Sequence, residues 1–105
     1  MVTQVDVNQL VTACERGEVV IDVREPFEFA AGHVPCARHI PMHRVPLRLA
    51  EIPADRSVYV VCASGNRSWQ VCQYLERQGI AAFNVSGGTS AWQAAGLPIK
   101  QGAAA

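Results

Sequence analysis

The sequence has no excess of either charge. Nine lysines and arginines face nine aspartates and glutamates, for a formal net charge of zero. A chain without a basic surplus lacks the electrostatic footprint of a nucleic-acid or membrane-surface binder, so neither partner is expected. Long apolar runs are missing as well, none approaching the roughly 18 residues that cross a bilayer. The opening MVTQVDVNQL has no basic region ahead of an apolar stretch. No secretory signal is therefore visible, and a cytoplasmic location is expected. The four cysteines, Cys14, Cys36, Cys62 and Cys72, stand 22, 26 and 10 residues apart and form no C-x-x-C pair. The short-spaced ligand pairs of a zinc site are thus absent. His33, His39 and His43 share a loop-rich region with no matching carboxylate pattern. No metal and no organic cofactor is expected. In a reducing compartment the cysteines are expected to stay unpaired. Repeats, linkers and low-complexity blocks are also lacking, apart from the terminal alanines.

What is present suits one compact domain. The chain has 105 residues, half of them apolar and 17% charged, which is ordinary globular composition. One domain over 1–105 is expected, with a core over about 5–99 and a frayed tail over 100–105. A short strand near Thr3 to Val5 precedes a helix that Asp6 caps with Gln9 three residues on. Leu10, Val11 and Cys14 form its apolar face, and Gly17 ends it. VVIDV, at 19–23, is a nearly unbroken apolar run, as in a strand covered on both faces. Pro26 opens a short helix that Gly32 closes. ARHIP gives a second short strand, and Pro46 limits the next segment to one or two turns around Leu47 to Leu49. SVYVVCA, at 57–63, is the strongest strand. A helix runs from about Arg67 to Arg77, then comes the strand AAFNV, and GGTSAWQAAG turns into a last helix. This alternation predicts an α/β fold with a mainly parallel central sheet of about five strands, flanked by helices on both faces.

In such sheets, ligands meet the carboxyl ends of the strands. The segments after each strand should therefore converge: Arg24 and Glu25, residues 41–44, residues 62–67 and residues 86–89. Residues 33–36 precede a strand and belong to the opposite end. The segment CASGNRS, at 62–68, stands out. Cys62 ends a buried strand just before a helix N-terminus. Backbone N–H groups of Ala63, Ser64, Gly65, Asn66 and Arg67 can curl around its sulfur, and Gly65 permits the positive φ that such a curl requires. The helix dipole and the arginine charge act in the same direction. All favour the thiolate, which is the nucleophile. A lone cysteine at a strand end also fits an inert core position; the glycine and arginine at these offsets argue against it.

Four segments together resemble the rhodanese family of sulfurtransferases over about residues 5–99. VVIDVREP is similar to its Asp-Val-Arg-Glu strand end, and GHVPCARHIP to its Gly-His-Ile/Val-Pro-Gly-Ala turn. VVCASGNRS is similar to its cysteine-x-x-Gly-x-Arg-Ser loop, and NVSGGTSAWQAAGLPI to its closing motif. The resemblance implies a rhodanese-like fold with Cys62 as nucleophile and persulfide carrier. Residues 63–67 would be the sulfur-binding loop. The implied partners are a small-molecule sulfur donor such as thiosulfate and an acceptor, cyanide or a thiol, with a thiol or sulfur-carrier protein as a further candidate. A rival reading is a carrier or regulatory module acting on a protein partner. Phosphatases and arsenate reductases of related fold carry a loop one residue longer, so they rank lower.

Two positions depart from the family pattern. Ala63 stands where many thiosulfate-using members have a basic residue. Cys36 replaces the glycine of the Pro-Gly-Ala turn; its reading as a resolving thiol is disfavoured because it should lie at the far end of the sheet. Candidate rim residues are Arg24, His43, Arg44 and Trp69, for each of which plain solvation or surface packing is the competing account. Asp22 is expected to pair with backbone or with Arg38, since buried charge is normally paired. His33 reads as a satisfied turn histidine and Trp92, with Leu97, as core. Gly87 and Gly88 are expected to let backbone pass close to the active loop.

Overall fold

The computed structural model describes residues 2–103. The elements, in order, are β1 (Thr3–Val5), α1 (Val7–Glu15), β2 (Val19–Asp22), α2 (Pro26–Ala31) and β3 (Arg38–His39). Two short 3₁₀ turns come next, Met42–Arg44 and Pro46–Glu51, then β4 (Val58–Val61), α3 (Asn66–Arg77), β5 (Ala82–Val85) and α4 (Gly88–Ala94). All five strands pair in parallel, in the order β1-β5-β4-β2-β3. The expected α/β architecture is therefore present, with β4, the strand carrying the cysteine loop, at the centre.

Period-two alternation builds two cores, one on each face of the sheet. Val58, Val60 and Cys62 pack with Ile21, Val71, Cys72 and Leu75 on the α3 face. Val61 and Val20 pack with Leu10, Val85 and Trp92 on the α1 and α4 face. Trp92 also donates its indole N–H to the Pro98 carbonyl at 2.7 Å. Asp6 caps α1 reciprocally with Gln9, the bonds measuring 2.8 and 2.9 Å. Pro46 keeps the segment after β3 as 3₁₀ turns, as its missing N–H requires.

Two expectations are corrected. The cysteines do not all stay unpaired: Cys14, near the end of α1, and Cys36, in the turn before β3, form a disulfide with their Cα atoms 5.7 Å apart. Sequence spacing gave no hint of it, because the pairing depends on α1 packing beside that turn. Cys36 is thus bonded away from any resolving role. Its turn needs no glycine either, since no non-glycine among the described residues has a positive φ. The second correction concerns the tail. Lys100 bridges His33 through backbone bonds of 2.9 and 3.0 Å, and the Gly102 N–H donates to the Ala30 carbonyl at 2.9 Å. The end of α2 leaves carbonyls unpaired, and residues 100–102 take up positions there instead of fraying. Residues 104–105 lie outside the described residues.

The disulfide closes a 22-residue separation, which in the chain-entropy account stabilises a fold by about 3 kcal/mol. Urea unfolding of the oxidised protein and of Cys36→Ser is expected to differ by about that amount. Alkylation of Cys62 should be unchanged in the same variant.

Candidate active site

Cys62 comes directly after the last residue of β4, and its side chain continues the strand's alternation into the α3 face. The residue is 1% exposed. Two donors reach its sulfur: the Gly65 N–H at 3.1 Å and the Ser68 hydroxyl at 3.3 Å. Gly65 sits at φ +113°, a conformation only glycine adopts without strain. That φ turns the chain that follows the Gly65 amide into α3. Burial pushes the Cys62 thiol up. Hydrogen bonds from the Ser68 hydroxyl and from the backbone of Ser68, Gly65 and Ser64 outweigh it, and the net displacement is downward. The buried sulfur is therefore biased toward the thiolate by preorganised dipoles.

The loop is held open from behind. Thr89 and Ser90, at the start of α4, donate their N–H groups to the Cys62 and Ala63 carbonyls at 2.9 and 3.0 Å. With those carbonyls drawn toward α4, the Ala63 and Ser64 amides in the same peptide planes point the opposite way. Gly88 makes the approach possible. A Cβ there would lie 2.3 Å from the Cys62 carbonyl oxygen, and its φ is +54°. Gly87 has φ +79°, and a Cβ on it would meet the Ala91 Cβ at 2.7 Å. Of the two glycines, Gly88 is the one whose backbone lies against the Cys62 and Ala63 carbonyls.

Sequence reading missed three residues that shape the site. Ser68 was visible only as the last letter of the motif, with no role. It is fully buried and lies between Cys62 and Asn84 of β5. The Asn84 amide nitrogen donates to the Gln4 side chain at 2.9 Å and to the Gly65 carbonyl at 3.1 Å, so its oxygen faces Ser68. A serine hydroxyl has one hydrogen. That hydrogen serves either Asn84 or the sulfur, which links the proton on Cys62 to the hydroxyl's orientation. The third residue is Glu28 of α2. Arg67 does not point its guanidinium at the sulfur or brace loop carbonyls; it forms a two-pronged pair with Glu28 at 2.7 and 2.9 Å. The hydrogen bond from Arg67 holds the Glu28 carboxyl well down, at about 2. The Glu25 N–H donates to Glu28 at 3.0 Å at the start of α2. Nothing in the sequence signalled the reach of Glu28 across 39 residues to Arg67.

The remaining candidates divide. Asp22 is buried and pairs with Arg24, the residue two positions on, instead of Arg38. Positions i and i+2 share a face of an extended chain, so Arg24 is already beside the carboxylate while Arg38 is exposed. The Arg24 guanidinium donates to Asp22 at 2.9 Å and to the Gly32 carbonyl at 2.8 Å. It is 6% exposed, a buried clamp and not a residue of the rim. His43 and Arg44 are exposed in the first 3₁₀ turn, beyond the carboxyl end of β3. Trp69 is half-buried and lines a shallow cavity with Val2, Gln73, Glu76 and Arg77, so it serves the outer face of α3. His33 is buried and satisfied by the Phe29 carbonyl at 2.7 Å. Cys72, one turn beyond Ser68, is also a free thiol. Burial pushes it up to about 12, with like charge from Glu76 and Cys62 acting in the same direction, so it is unreactive at neutral pH.

This geometry gives two expected outcomes. Ser68→Ala removes one charge-assisted hydrogen bond from the thiolate, and Cys62 alkylation at neutral pH is expected to slow about tenfold; an unchanged rate would mean the hydroxyl serves Asn84 alone. Glu28 has a folded value below its ordinary 4.5, so its contribution to stability is full above about 4.5 and is lost as pH falls toward about 2. Glu28→Gln should therefore destabilise by about 1–2 kcal/mol at neutral pH, an amount reduced by the pair's partial exposure. The gap between the variant and the parent should close in denaturant titrations carried to acid.

Comparison with known proteins agrees with this geometry. A family model for the rhodanese-like domain matches residues 6–95. A sulfurtransferase of Allochromatium vinosum is 48% identical over 82 residues, covering 77% of this chain and 77% of that protein. The thiosulfate sulfurtransferase GlpE of Pseudomonas putida is 40% identical over 81 residues, covering 76% of this chain and 74% of its own length. Among solved structures, a rhodanese-like domain protein from Staphylococcus aureus superposes with a TM-score of 0.83 at 38% identity, covering 94% of this chain and 99% of its own. The chain belongs to the rhodanese-like sulfurtransferase family.

Proposed function

We propose that the protein, acting as one rhodanese-like domain, moves sulfane sulfur from a donor such as thiosulfate to a thiophilic acceptor through a persulfide on Cys62. The Cys62 thiolate attacks the outer sulfur of thiosulfate. A new S–S bond forms, the old one breaks, and its electron pair leaves with sulfite. Cyanide or a thiolate then attacks the outer sulfur of the persulfide and restores the Cys62 thiolate. The cycle is ping-pong and calls for no general base, because the hydrogen bonds to Cys62 bias the nucleophile toward the thiolate. The backbone N–H groups of Ser64, Gly65 and Ser68, with the Ser68 hydroxyl, supply fixed donors to whichever sulfur carries the charge.

One observation carries this reading. The Cys62 sulfur sits inside a six-residue loop, Cys62 to Arg67; the Gly65 amide of that loop reaches it at 3.1 Å and the Ser68 hydroxyl, just beyond the loop, at 3.3 Å. A phosphatase would need a wider loop and an arginine free for the phosphate. Here the loop is a residue shorter, and Glu28 occupies Arg67. The names of the Allochromatium and Pseudomonas relatives point the same way.

A second reading keeps the chemistry and changes the donor. Ala63 and Ser64 bring no charge to the loop, which favours sulfur delivered on a thiol or a carrier protein over a free dianion. The same reading places the protein in the cytoplasm, where the exposed Cys36 side of the disulfide is open to thiol exchange.

Intact-mass measurement after incubation with thiosulfate tests the proposal. The expected result is a gain of one sulfur atom that cyanide removes and that Cys62→Ser lacks. An adduct formed only from a persulfidated thiol would support the second reading. Turnover of an aryl phosphate that depends on Cys62 would refute both.

A further inference from the structure

A second polar cavity lies apart from the cysteine loop. It has a volume of about 380 Å³, and the residues lining it include Phe29, His33, Arg38, His39, Arg48 and Lys100. No residue of the loop 62–67 contributes to it, and no aspartate or glutamate lines it. Three permanent cations thus share one concave surface without an acidic neighbour in its wall. Arg48 is partly neutralised by Glu51, to which it donates two bonds of 2.8 Å. Arg38 and Lys100 are exposed, and neither forms an ion pair among the described residues.

The floor of the cavity is rigid. The Phe29 ring is sandwiched between two imidazoles: His33 at 3.6 Å and 8°, and His39 at 4.4 Å and 16°. Backbone carbonyls fix both rings. His33 Nδ1 meets the Phe29 carbonyl at 2.7 Å, and His39 Nε2 meets the Arg24 carbonyl at 2.8 Å. A carbonyl only accepts, so those nitrogens carry the protons. The other nitrogen of each ring has no protein partner among the described residues. The wall is fixed too, because Lys100 is tied to His33 by the backbone bridge. Residues on α2, on β3, in the second 3₁₀ turn and after α4 are therefore brought together by the fold, and beside the Arg48–Glu51 pair, whose carboxylate also feels Arg38, they leave the cavity with a net surplus of positive charge.

We infer that this cavity binds a small dianionic oxyanion, such as a phosphoryl or sulfuryl group, at a site separate from Cys62. The arginine forks and the lysine ammonium supply charge-assisted donors. The cavity's size is within the range of small-molecule sites, and its stacked floor leaves little to reorganise on binding. The inference stands independently of sulfur transfer, since it uses none of the residues that surround Cys62.

Amide and imidazole NMR shifts of the full chain, titrated with inorganic phosphate and separately with sulfate at constant ionic strength, provide the test. Saturable shifts are expected at His33, Arg38, His39 and Lys100. Arg38→Gln and Lys100→Gln, both at exposed positions, should each weaken binding about tenfold, the worth of one charge-assisted bond. Tighter binding of phosphate would assign the site to phosphate esters, and tighter binding of sulfate to sulfur oxyanions; either supports it. Shifts that do not saturate and match those from chloride would overturn it, as would saturation confined to residues 62–67 or unaffected by both substitutions.

Discussion

The site depends on one close contact, between the start of α4 and the back of the cysteine loop. Gly88 lets the two backbones approach to a distance that no side chain permits, and the Thr89 and Ser90 amides then take the Cys62 and Ala63 carbonyls. Peptide groups are rigid planes. Fixing their carbonyls on one side sets the direction of the N–H groups on the other. The Ala63 and Ser64 N–H groups, in the same peptide planes as those carbonyls, are thus oriented before any ligand arrives, and the Gly65 N–H and Ser68 hydroxyl already reach the sulfur. Loop and support come from segments far apart in sequence, joined because β4 and β5 are neighbours in the sheet.

Electrostatics completes the frame at modest cost. Cys62 is buried among apolar neighbours, which by itself would keep it neutral. Short-range donors reverse that outcome, whereas Cys72, equally buried but without such donors, remains a thiol. Hydrogen-bond donors, and not depth, are what separate the two cysteines on this core face, one biased toward the thiolate and one away from it. Around the loop, cations and anions are paired: Arg67 with Glu28, and Arg24 with Asp22. The first pair ties α2 to the cysteine loop, and the second, with the Arg24 bond to the Gly32 carbonyl, ties the end of β2 to the end of α2. They also leave the mouth with less free positive charge than the motif alone suggests.

Much of this was legible in the sequence because it is local. The alternation of apolar runs and helix starts predicted the parallel sheet. The β4-to-α3 junction singled out Cys62 and Gly65, and the double glycine marked the support. What escaped depends on contacts between distant segments. Ser68 and Asn84 are sixteen residues apart, and nothing in either segment reveals that β5 lies beside the helix start. Asp22 was expected to bond backbone or Arg38: the backbone bond is present, from the Arg24 N–H at 3.0 Å, but the charged partner is Arg24, which is buried next to it. The Cys14–Cys36 bond was argued against on compartment, a property of the surroundings, while the pairing itself is set by how α1 lies against the turn before β3.

The central claim is that the loop holds a sulfur atom, not a tetrahedral anion, on Cys62. A crystal structure of the protein after exposure to thiosulfate tests it most directly. The account predicts one additional sulfur bonded to Cys62 Sγ, ringed by the N–H groups of residues 63–67, with Arg67 still paired to Glu28. An unmodified Cys62 beneath an intact tetrahedral anion, with Arg67 released from Glu28 to bind it, would contradict the account.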